Sequence, residues 1–434
     1  TLLSLFVASV ALHAEMFARR PHPEHLTRFY LAMSLGGVLG GIFCALIAPL
    51  VFDWTYEYPI LIAATALLIA PRPIFGISER LWASNRTGRA ALWLAVAVFL
   101  LSLASAGGFT SGTSWRLQTA CTIIIIGASL TAFGNRWLFA FCLACLMLGL
   151  NGWTKLALST QEGVMTRSYF GVYSVGTNVA KSRILVHGTT VHGLQNLEPA
   201  RETMPTTYYA PRSGIGLAMA AVPSLYGPAA RIDIVGLGAG TLACYAKPAQ
   251  HWKFYEIDPA IVTIASDPKR FTFLKRCLPG VKVAVGDARL TLAAEPDNSA
   301  DVLAIDAFSS DSVPMHLLTR EAFATYRRHI ASNGLLMVHI SNRYLDLEPV
   351  LAAAAQHGWA SAARDYNATE SERKLNYSPS LWVAFSRDKS VIQRLVAANP
   401  KEEWRALGAR PGFRAWTDDH ASILSILKPY KRNK

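Results

Sequence analysis

Long apolar runs fill the first third of the chain and give way near Trp153 to a mixed pattern of polar and apolar residues. A helix needs about 20 mostly apolar residues to span a bilayer, so runs of this kind predict membrane helices. The candidate spans are Leu2–Phe17, Phe29–Phe52, Tyr58–Ala70, Ala90–Ala106, Leu117–Phe133 and Trp137–Leu150. We therefore predict an α-helical transmembrane bundle over residues 1–153 with about six spans. Because Thr1 already lies inside an apolar run and no initiator Met is present, we expect this region to be incomplete at its N-terminus.

The rest of the chain has the pattern of an α/β protein. Short strand-like runs, Phe170–Val175 and Arg183–Val186, are broken by Gly and polar turns, which predicts a small β subdomain. Further on, apolar strands alternate with helical stretches, as in a parallel sheet covered on both faces. The strands are predicted at Ile232–Val235, Trp252–Tyr255, Val281–Val285, Val302–Ile305, Leu335–Ile340 and Leu381–Phe385, and the helices at 259–276, 319–331 and 346–357. The expected domains are the β subdomain at 166–212, a Rossmann-like α/β domain at 213–390 and a C-terminal extension at 391–434.

Composition and charge support a membrane assignment. Hydrophobic residues make up 52% of the chain and charged residues 16%, a balance displaced toward membrane proteins. The formal net charge is +13, and arginines flank the predicted spans at Arg19, Arg20 and Arg28 and again at Arg72, Arg80, Arg86 and Arg89, as in membrane proteins, where Lys and Arg fix orientation. No basic stripe is interleaved with aromatic residues, so we expect membrane lipid and no nucleic acid as a partner.

Four of the six cysteines, Cys44, Cys121, Cys142 and Cys145, lie within apolar runs. Cys142 and Cys145 have CxxC spacing but lack a second pair of ligands, so we interpret them as small residues on a buried helix face. We expect neither a metal site nor a disulfide framework.

A glycine-rich loop follows the first strand of the α/β domain. Gly236, Gly238 and Gly240 stand between this strand and the next helical stretch, where glycine permits a tight turn and a close approach of the backbone to a ligand. Glu256, in the segment that continues to Asp258, comes 18 residues after Gly238. A carboxylate about 20 residues beyond such a glycine typically binds ribose hydroxyls.

Two more acids end successive strands. Asp287, followed by Ala288, closes the third strand and could accept from an adenine amino group, and Asp306 closes the fourth. Ligands of open α/β sheets bind beyond the carboxyl ends of the strands, so Glu256, Asp287 and Asp306 are expected to line one nucleoside crevice. An acidic lining suits a sulfonium or an ammonium better than the pyrophosphate of NAD, and the third glycine comes one residue early for an NAD loop.

These residues resemble the spermidine synthase (polyamine aminopropyltransferase) family, and its membrane-fused bacterial branch in particular, in which major-facilitator-like helices precede the enzyme domain. The segments that carry the resemblance are His187–Gln195, Gly236–Gly240, Tyr255–Pro259, Gly286–Arg289 and Asp306–Glu321. The family implies a β subdomain followed by a methyltransferase-like Rossmann fold. By motif, it assigns Gly236, Gly238, Gly240, Glu256, Asp258, Asp287 and Ala288 to co-substrate binding, Asp306 to acid–base catalysis, and Gln195, Tyr209 and Asp311 to the acceptor or the transferred group.

The chemistry implied by the resemblance is a displacement. An amine nitrogen attacks the carbon next to a sulfonium sulfur, and methylthioadenosine leaves. Because a protonated amine is not nucleophilic, a carboxylate such as Asp306 must accept its proton. The implied co-substrate is decarboxylated S-adenosylmethionine, or S-adenosylmethionine itself, the acceptor is a small-molecule amine, and no metal is needed.

The resemblance implies a multi-pass protein of the bacterial inner (plasma) membrane. The positive-inside rule places loops 18–28 and 71–89 in the cytoplasm, and six spans counted from there put the α/β domain on the opposite face. S-adenosylmethionine is a cytosolic metabolite. We therefore favour a cytoplasmic α/β domain and one apolar run that does not cross.

Two departures from the family pattern keep alternatives open. Ala239 stands where soluble spermidine synthases carry an acid in the glycine loop, and Asp311 follows Asp306 at a wider spacing than usual. One alternative is a non-catalytic structural or regulatory subunit with a vestigial site, in a homodimer or with other membrane subunits. Another is an S-adenosylmethionine-dependent methyltransferase, in which Lys247 or Arg289 would hold the methionine carboxylate. A third is a transporter whose soluble domain senses or modifies its cargo.

Overall fold

The computed structural model describes residues 2–69, 87–110, 115–307, 314–356 and 358–429. The chain forms two compact units, Thr1–Val172 and Tyr173–Lys434. The first unit therefore extends beyond residue 153, the predicted end of the membrane region, and includes a last short helix and the strand β1 (Met165–Arg167).

The first unit is built mainly from apolar helices. Their bounds are Leu2–Ala18, Leu26–Ile42, Ala48–Val51, Glu57–Leu68, Thr87–Thr110, Trp115–Thr131, Arg136–Met147 and Trp153–Ser159, with π-helical turns at Phe43–Ile47 and Leu148–Gly152. Large apolar side chains on these helices are exposed, among them Leu31 at 68%, Leu50 at 73% and Trp93 at 71%. Exposed apolar surface of this extent marks a face that another apolar medium or partner covers.

Three helices in the described part of the chain are long and apolar enough to cross a membrane: Pro23–Val51, Gly88–Ser105 and Arg136–Ser159. They correspond to the second, fourth and sixth predicted spans. The other three predicted spans correspond to shorter apolar helices, at Leu5–Ala18, Glu57–Leu68 and Arg116–Thr131. Ala70 and the arginine-rich loop at 71–86 lie outside the described residues.

The second unit begins with antiparallel strands. β2 (Val172–Thr177) pairs with β3 (Ser182–His187), and β3 pairs with β4 (Thr190–Asn196), with a register shift between Leu185 and Val186. The strand-like runs predicted at Phe170–Val175 and Arg183–Val186 correspond to β2 and β3. The pattern did not predict β4.

The main sheet has the strand order β10-β11-β9-β8-β5-β6-β7. Its strands are β5 (Arg231–Val235), β6 (His251–Glu256), β7 (Lys282–Val285), β8 (Ala300–Ile305), β9 (Ile330–His339), β10 (Ala360–Tyr366) and β11 (Ser380–Ser386). β5 to β9 are parallel, whereas β11 runs antiparallel to both β9 and β10. This is a methyltransferase-like α/β fold with a largely parallel sheet, as predicted.

Alternation along the strands explains why the sheet is buried on both faces. In β8, Val302 and Ala304 belong to one apolar core, and Leu303 and Ile305 belong to another. Successive side chains of a strand point to opposite faces, so two cores cover the two faces of one sheet. The helices of this unit are Gly214–Tyr226, Pro259–Ser266, Phe273–Cys277, Ala288–Ala294, Arg320–His329, Glu348–Ala354, Glu370–Arg373 and Lys389–Ala397.

The helix predicted over 259–276 is interrupted. It forms Pro259–Ser266 and Phe273–Cys277, and the chain between them contains Pro268, which cannot donate a backbone hydrogen bond. The second of these helices ends at Cys277, which forms a disulfide with Cys244. The expectation of no disulfide was therefore wrong, because the two residues stand 33 positions apart and share no motif that pairs them.

The C-terminal segment folds onto the α/β unit. Val391, Leu395, Trp416 and Ile426 are buried and belong to its two apolar cores. Backbone bridges join this segment to the rest, with Leu427 opposite Leu345 and Arg405 opposite Ala363. Residues 391–429 thus complete the unit that carries the candidate site.

Candidate active site

The switch point of the main sheet lies beside β5, which pairs with β6 on one side and with β8 on the other. Ligands of open α/β sheets bind beyond the carboxyl ends of the strands at such a point. Gly236 follows β5, Glu256 ends β6 and Asp306 follows β8. The backbone N–H of Gly236 donates to Tyr255 O, and that of Asp306 donates to Val235 O, each at 2.8 Å. The structure thus brings the glycine loop and two of the predicted acids to one edge of the sheet.

Two glycines let the loop pass closely by its neighbours. Gly236 has φ +95°, and a Cβ on it would collide with the carbonyl oxygen of Asp306. Gly238 has φ +52°, and a Cβ there would lie 2.8 Å from the carbonyl oxygen of His192 in β4. Both positions favour glycine on conformational and steric grounds. Gly240 ends the loop, and its N–H donates to Leu237 O at 2.9 Å.

Glu256 fastens the glycine loop to the end of β6. Its Oε2 accepts the backbone N–H of Leu237 at 2.9 Å, and its Oε1 accepts that of Asp258 at 3.0 Å. Burial raises the pKa of Glu256, and these two hydrogen bonds oppose the rise. An ionised carboxylate has about four acceptor positions, so beyond its backbone hydrogen bonds it can still accept from a ribose hydroxyl. Asp258 caps the helix Pro259–Ser266 by accepting the N–H of Ala260 at 2.8 Å, which fixes the backbone beside Glu256.

Asp287 caps the next helix along the sheet edge. Its Oδ1 accepts the backbone N–H of Arg289 at 2.8 Å and that of Leu290 at 3.3 Å, and Ala288 is the first residue of the helix. Its Oδ2 lies 3.4 Å from Nε2 of His316. Oδ1 of Asp287 is thus used by the helix cap. Oδ2 faces the exposed side chain of His316 and is the oxygen that remains for the predicted contact with adenine.

Asp306 is held by two side-chain donors. The Tyr209 hydroxyl donates to its Oδ2, and Nδ1 of His339 lies 2.6 Å from its Oδ1. All three side chains are buried. Burial, together with the charge of Asp306, raises the pKa of Tyr209 well above its usual value, so the phenol keeps its proton and remains a donor. A carboxylate with this environment is a fixed acceptor for a proton or an ammonium.

Sequence reasoning missed His339, the last residue of β9. Its ring stacks on Tyr208 at 4.7 Å and on Trp382 at 4.6 Å between ring centroids. Its Nε2 lies 2.7 Å from Oγ of Ser341, which accepts the backbone N–H of Leu381 at 2.8 Å. The signal was the same as for the acids, a polar residue at the carboxyl end of a buried parallel strand.

Gln195 is committed to a neighbouring network. Its Nε2 donates to Thr272 Oγ1 at 2.8 Å and to the carbonyl oxygen of Glu202 at 3.0 Å, and its Oε1 accepts the N–H of Thr272 at 3.1 Å. A role of Gln195 at the transferred group stays a prediction. Asp311, the third residue assigned to the substrate, lies outside the described residues.

Ala239 packs against β4. The residue is 1% exposed, and a side chain on Gly193 would collide with its Cβ. A larger, charged residue at position 239 would therefore need β4 to move.

Within the described ranges, no group of three or more His, Cys, Asp or Glu side chains is placed to hold a metal ion.

Arg289, a candidate clamp for a methionine carboxylate, is paired with an acid of the C-terminal segment. Its Nη1 and Nη2 lie 2.5 Å from the two oxygens of Asp418, which raises the pKa of Arg289. Thr319 Oγ1 also donates to Asp418, at 2.9 Å. Lys247, the other candidate, lies in the turn before β6. The guanidinium of Arg289 is thus neutralised within the protein.

Comparison with known proteins gives one relative and several weak structural likenesses. No family profile matches the chain. Over 114 residues the chain is 32% identical to the polyamine aminopropyltransferase of Vibrio vulnificus; the aligned region is 25% of this chain and 37% of that enzyme. The chain thus spans little more than a third of that relative's length. The match supports the resemblance to the spermidine synthase-like family.

Two solved structures are similar at low identity. A probable spermidine synthase from Corynebacterium glutamicum is 15% identical, with a TM-score of 0.44, over 60% of this chain and 97% of that chain. The spermidine synthase from Thermotoga maritima is 13% identical, with a TM-score of 0.40, over 57% of this chain and 79% of that chain.

Proposed function

We propose that the chain is a membrane-anchored aminopropyltransferase-like enzyme that binds decarboxylated S-adenosylmethionine and transfers its aminopropyl group to a small amine. The observation that carries the proposal is the carboxylate of Asp306, buried at the switch point and held by Tyr209 and His339. The 32% identity to a polyamine aminopropyltransferase supports it.

The loop and the first two acids suit a nucleoside. The glycine loop offers backbone without side chains at Gly236 and Gly238, so a ligand can approach it closely. Glu256 has lone pairs left for ribose hydroxyls, and we assign the adenine amino group to the carboxylate of Asp287, whose Oδ2 is not used by the helix cap. In this proposal both acids bind the nucleoside and take no part in the chemistry.

Asp306 is the proton acceptor in the proposed reaction. An acceptor amine that reaches the site as an ammonium loses a proton to this carboxylate and becomes nucleophilic. Its lone pair then forms the new C–N bond as the C–S bond breaks, and the electron pair of the broken bond leaves on sulfur in methylthioadenosine. The protein contributes by holding the two reactants in line, since positioning alone can lower such a barrier by several kcal/mol.

The pairing of Arg289 favours the decarboxylated co-substrate. A methyltransferase has to hold the carboxylate of methionine, and this guanidinium is already paired with Asp418. Decarboxylation removes the group that would need it. The alternative of a methyltransferase therefore receives no support from Arg289.

Membrane anchoring belongs to the same proposal. The apolar helices Pro23–Val51, Gly88–Ser105 and Arg136–Ser159 support a multi-pass protein with lipid as its surroundings, and the resemblance suggests a bacterial inner membrane. A homodimer, or an assembly with further membrane subunits, is part of the same proposal.

Calorimetry on the purified full chain tests the nucleoside site. We expect decarboxylated S-adenosylmethionine and methylthioadenosine to bind more tightly than S-adenosylmethionine, and Glu256→Ala and Asp287→Asn to weaken both. Asn still caps a helix, so Asp287→Asn changes the ligand contact and keeps the fold. Asp388→Asn is the matched control, because Asp388 also caps a helix, at Lys389–Ala397, outside the site. Absence of binding by all three ligands would overturn the proposal.

A further inference from the structure

We infer that His339 is a positioning residue for Asp306, a role that rests on the proposed function and deepens it. His339 donates the Nδ1 proton to Oδ1 of Asp306 while Tyr209 donates to Oδ2, so the carboxylate is held from both sides. Each oxygen then keeps a lone pair for the acceptor amine.

The plane of the His339 ring is fixed by stacking. Tyr208 covers one side at an interplanar angle of 26°, and Trp382 stacks at 14°. Trp382 is also the partner of His339 in the register of β11 with β9, so the backbone pairing sets this stack. The His339 side chain is 5% exposed. A ring held in this way can direct its N–H along one line only.

The hydrogen-bond network assigns the tautomer. Ser341 Oγ accepts the N–H of Leu381, and its own single proton is available for Nε2 of His339 at 2.7 Å. A neutral imidazole that accepts at Nε2 carries its proton on Nδ1. With the other tautomer, an unprotonated Nδ1 would face an unprotonated carboxylate oxygen at 2.6 Å. The proton on Nδ1 therefore follows from the Asp306 oxygen that faces it, and Ser341 can donate to the other ring nitrogen.

This donor changes what Asp306 can do. A hydrogen bond to a buried charged group is stronger than one between neutral groups, and losing it leaves a desolvated oxygen without its partner. Without His339, Oδ1 of Asp306 loses its donor, and only the Tyr209 hydroxyl still holds the carboxylate. The nucleoside contacts, at Glu256 and Asp287, do not involve His339.

The test compares variants that distinguish the hydrogen bond donated by His339 from the stacking of its ring. His339→Phe keeps an aromatic ring between Tyr208 and Trp382 but has no donor, and His339→Asn restores an N–H near the position of Nδ1. We expect His339→Phe to lower kcat for methylthioadenosine release by about 10-fold to 100-fold, with the Kd for methylthioadenosine changed by less than about twofold. His339→Asn should recover part of the rate. In the Asp306→Asn background, His339→Phe should lower kcat no further.

His329→Phe is the matched control. His329 is a second buried histidine paired with an acid, its Nε2 lying 2.7 Å from Asp233 Oδ2, and it lies at the end of the helix Arg320–His329. We expect this variant to lower stability and to leave kcat near the wild-type value. A wild-type kcat in His339→Phe, or an equal further loss in the Asp306→Asn background, would overturn the proposal.

A second measurement does not depend on turnover. Nitrogen-15 NMR of histidine-labelled protein, with the His339 signals identified by their loss in His339→Phe, should show a protonated Nδ1 and an unprotonated Nε2. The reverse pattern would overturn the assignment. If no amine is ever alkylated but Nδ1 carries the proton, the proposed function fails while the placement of His339 stands.

Discussion

Glu256, at the end of β6, accepts the backbone N–H of Leu237 in the glycine loop at 2.9 Å. One carboxylate therefore both shapes the loop and faces the ligand that the loop would hold. Because Glu256 is buried, its ionised form is costly in the ligand-free protein, and a ligand that donates hydroxyl protons to it lowers that cost.

Nucleoside affinity should weaken as the pH falls through the raised pKa of Glu256. Ribose hydroxyls bind the ionised carboxylate, so binding lowers this pKa and releases a proton, and affinity rises with pH until the carboxylate is fully ionised. For the ligand-free fold the sign is opposite. A folded pKa above the unfolded one stabilises the fold at low pH, and this contribution is lost as the pH rises through the folded pKa.

Calorimetric titration with methylthioadenosine between about pH 4 and pH 8 measures this dependence. Glu256→Gln should flatten it, because the amide does not titrate. A Glu256→Gln protein with the same pH dependence as the wild type would assign the proton release to another group.

Tyr209→Phe should lower kcat by about 10-fold to 100-fold, because it removes a hydrogen bond of about 1.5–3 kcal/mol to a charged group. Tyr209 has a pKa raised well above its usual value, so it should cause no loss of rate up to about pH 10. Rates of methylthioadenosine release across the pH range test both points. Tyr226→Phe is the control, since its hydroxyl donates to Asn333 O at the surface; an equal loss there would point to a general effect on the fold.

Gly238→Ala should abolish most nucleoside binding. The new Cβ would lie 2.8 Å from His192 O, so either the loop or β4 has to move. Gly227→Ala is a matched control, because Gly227 also has a positive φ, +79°, but its Cβ would meet nothing within 4 Å. We expect about 1–3 kcal/mol of destabilisation and normal binding in the control, because its backbone conformation is one that almost only glycine adopts. Equal loss of affinity in both variants would show that backbone strain alone, without the close approach to β4, explains the effect.

A dithiol reductant should lower the thermal stability of the α/β unit. The Cys244–Cys277 bond joins residues 33 apart, and loop closure of that length contributes about 3–4 kcal/mol in the chain-entropy model. Thermal unfolding followed by tryptophan fluorescence, with and without reductant, measures the effect. The Cys244→Ala/Cys277→Ala double variant should unfold at the same temperature as the reduced protein, and the reductant should not change that temperature. An unchanged midpoint, with loss of the bond confirmed by mass spectrometry, would contradict this expectation.

The apolar pattern predicted most of the sheet because its strands are buried on both faces. It did not predict β1, β4 or β10. Thr190–Asn196 mixes polar and apolar residues, and Ala360–Tyr366 is a run of small and charged residues whose pairing depends on β11. The helix Pro259–Ser266 was predicted too long because apolar residues continue beyond the break.

At the candidate site, residues that end strands could be found from sequence, whereas contacts between distant segments could not. The glycine loop, Glu256 and Asp306 each follow a strong apolar strand. Tyr209 was assigned by resemblance alone. It stands 97 residues before Asp306 in the chain, so their hydrogen bond depends on how the loop that carries Tyr209 packs against the end of β8. His339 ends β9 and carried the same signal as the acids, but its contact with Asp306 joins two strands and is visible only in the fold.

The disulfide between Cys244 and Cys277 also bears on the compartment in which the α/β unit would work. Bonds of this kind persist in secreted and periplasmic spaces and are rare in the cytosol. S-adenosylmethionine, by contrast, is a cytosolic metabolite. Under the proposed function, a chain that joins Cys244 to Cys277 and binds this nucleoside would need an oxidising space for the bond and a supply of the ligand on the same side of the membrane.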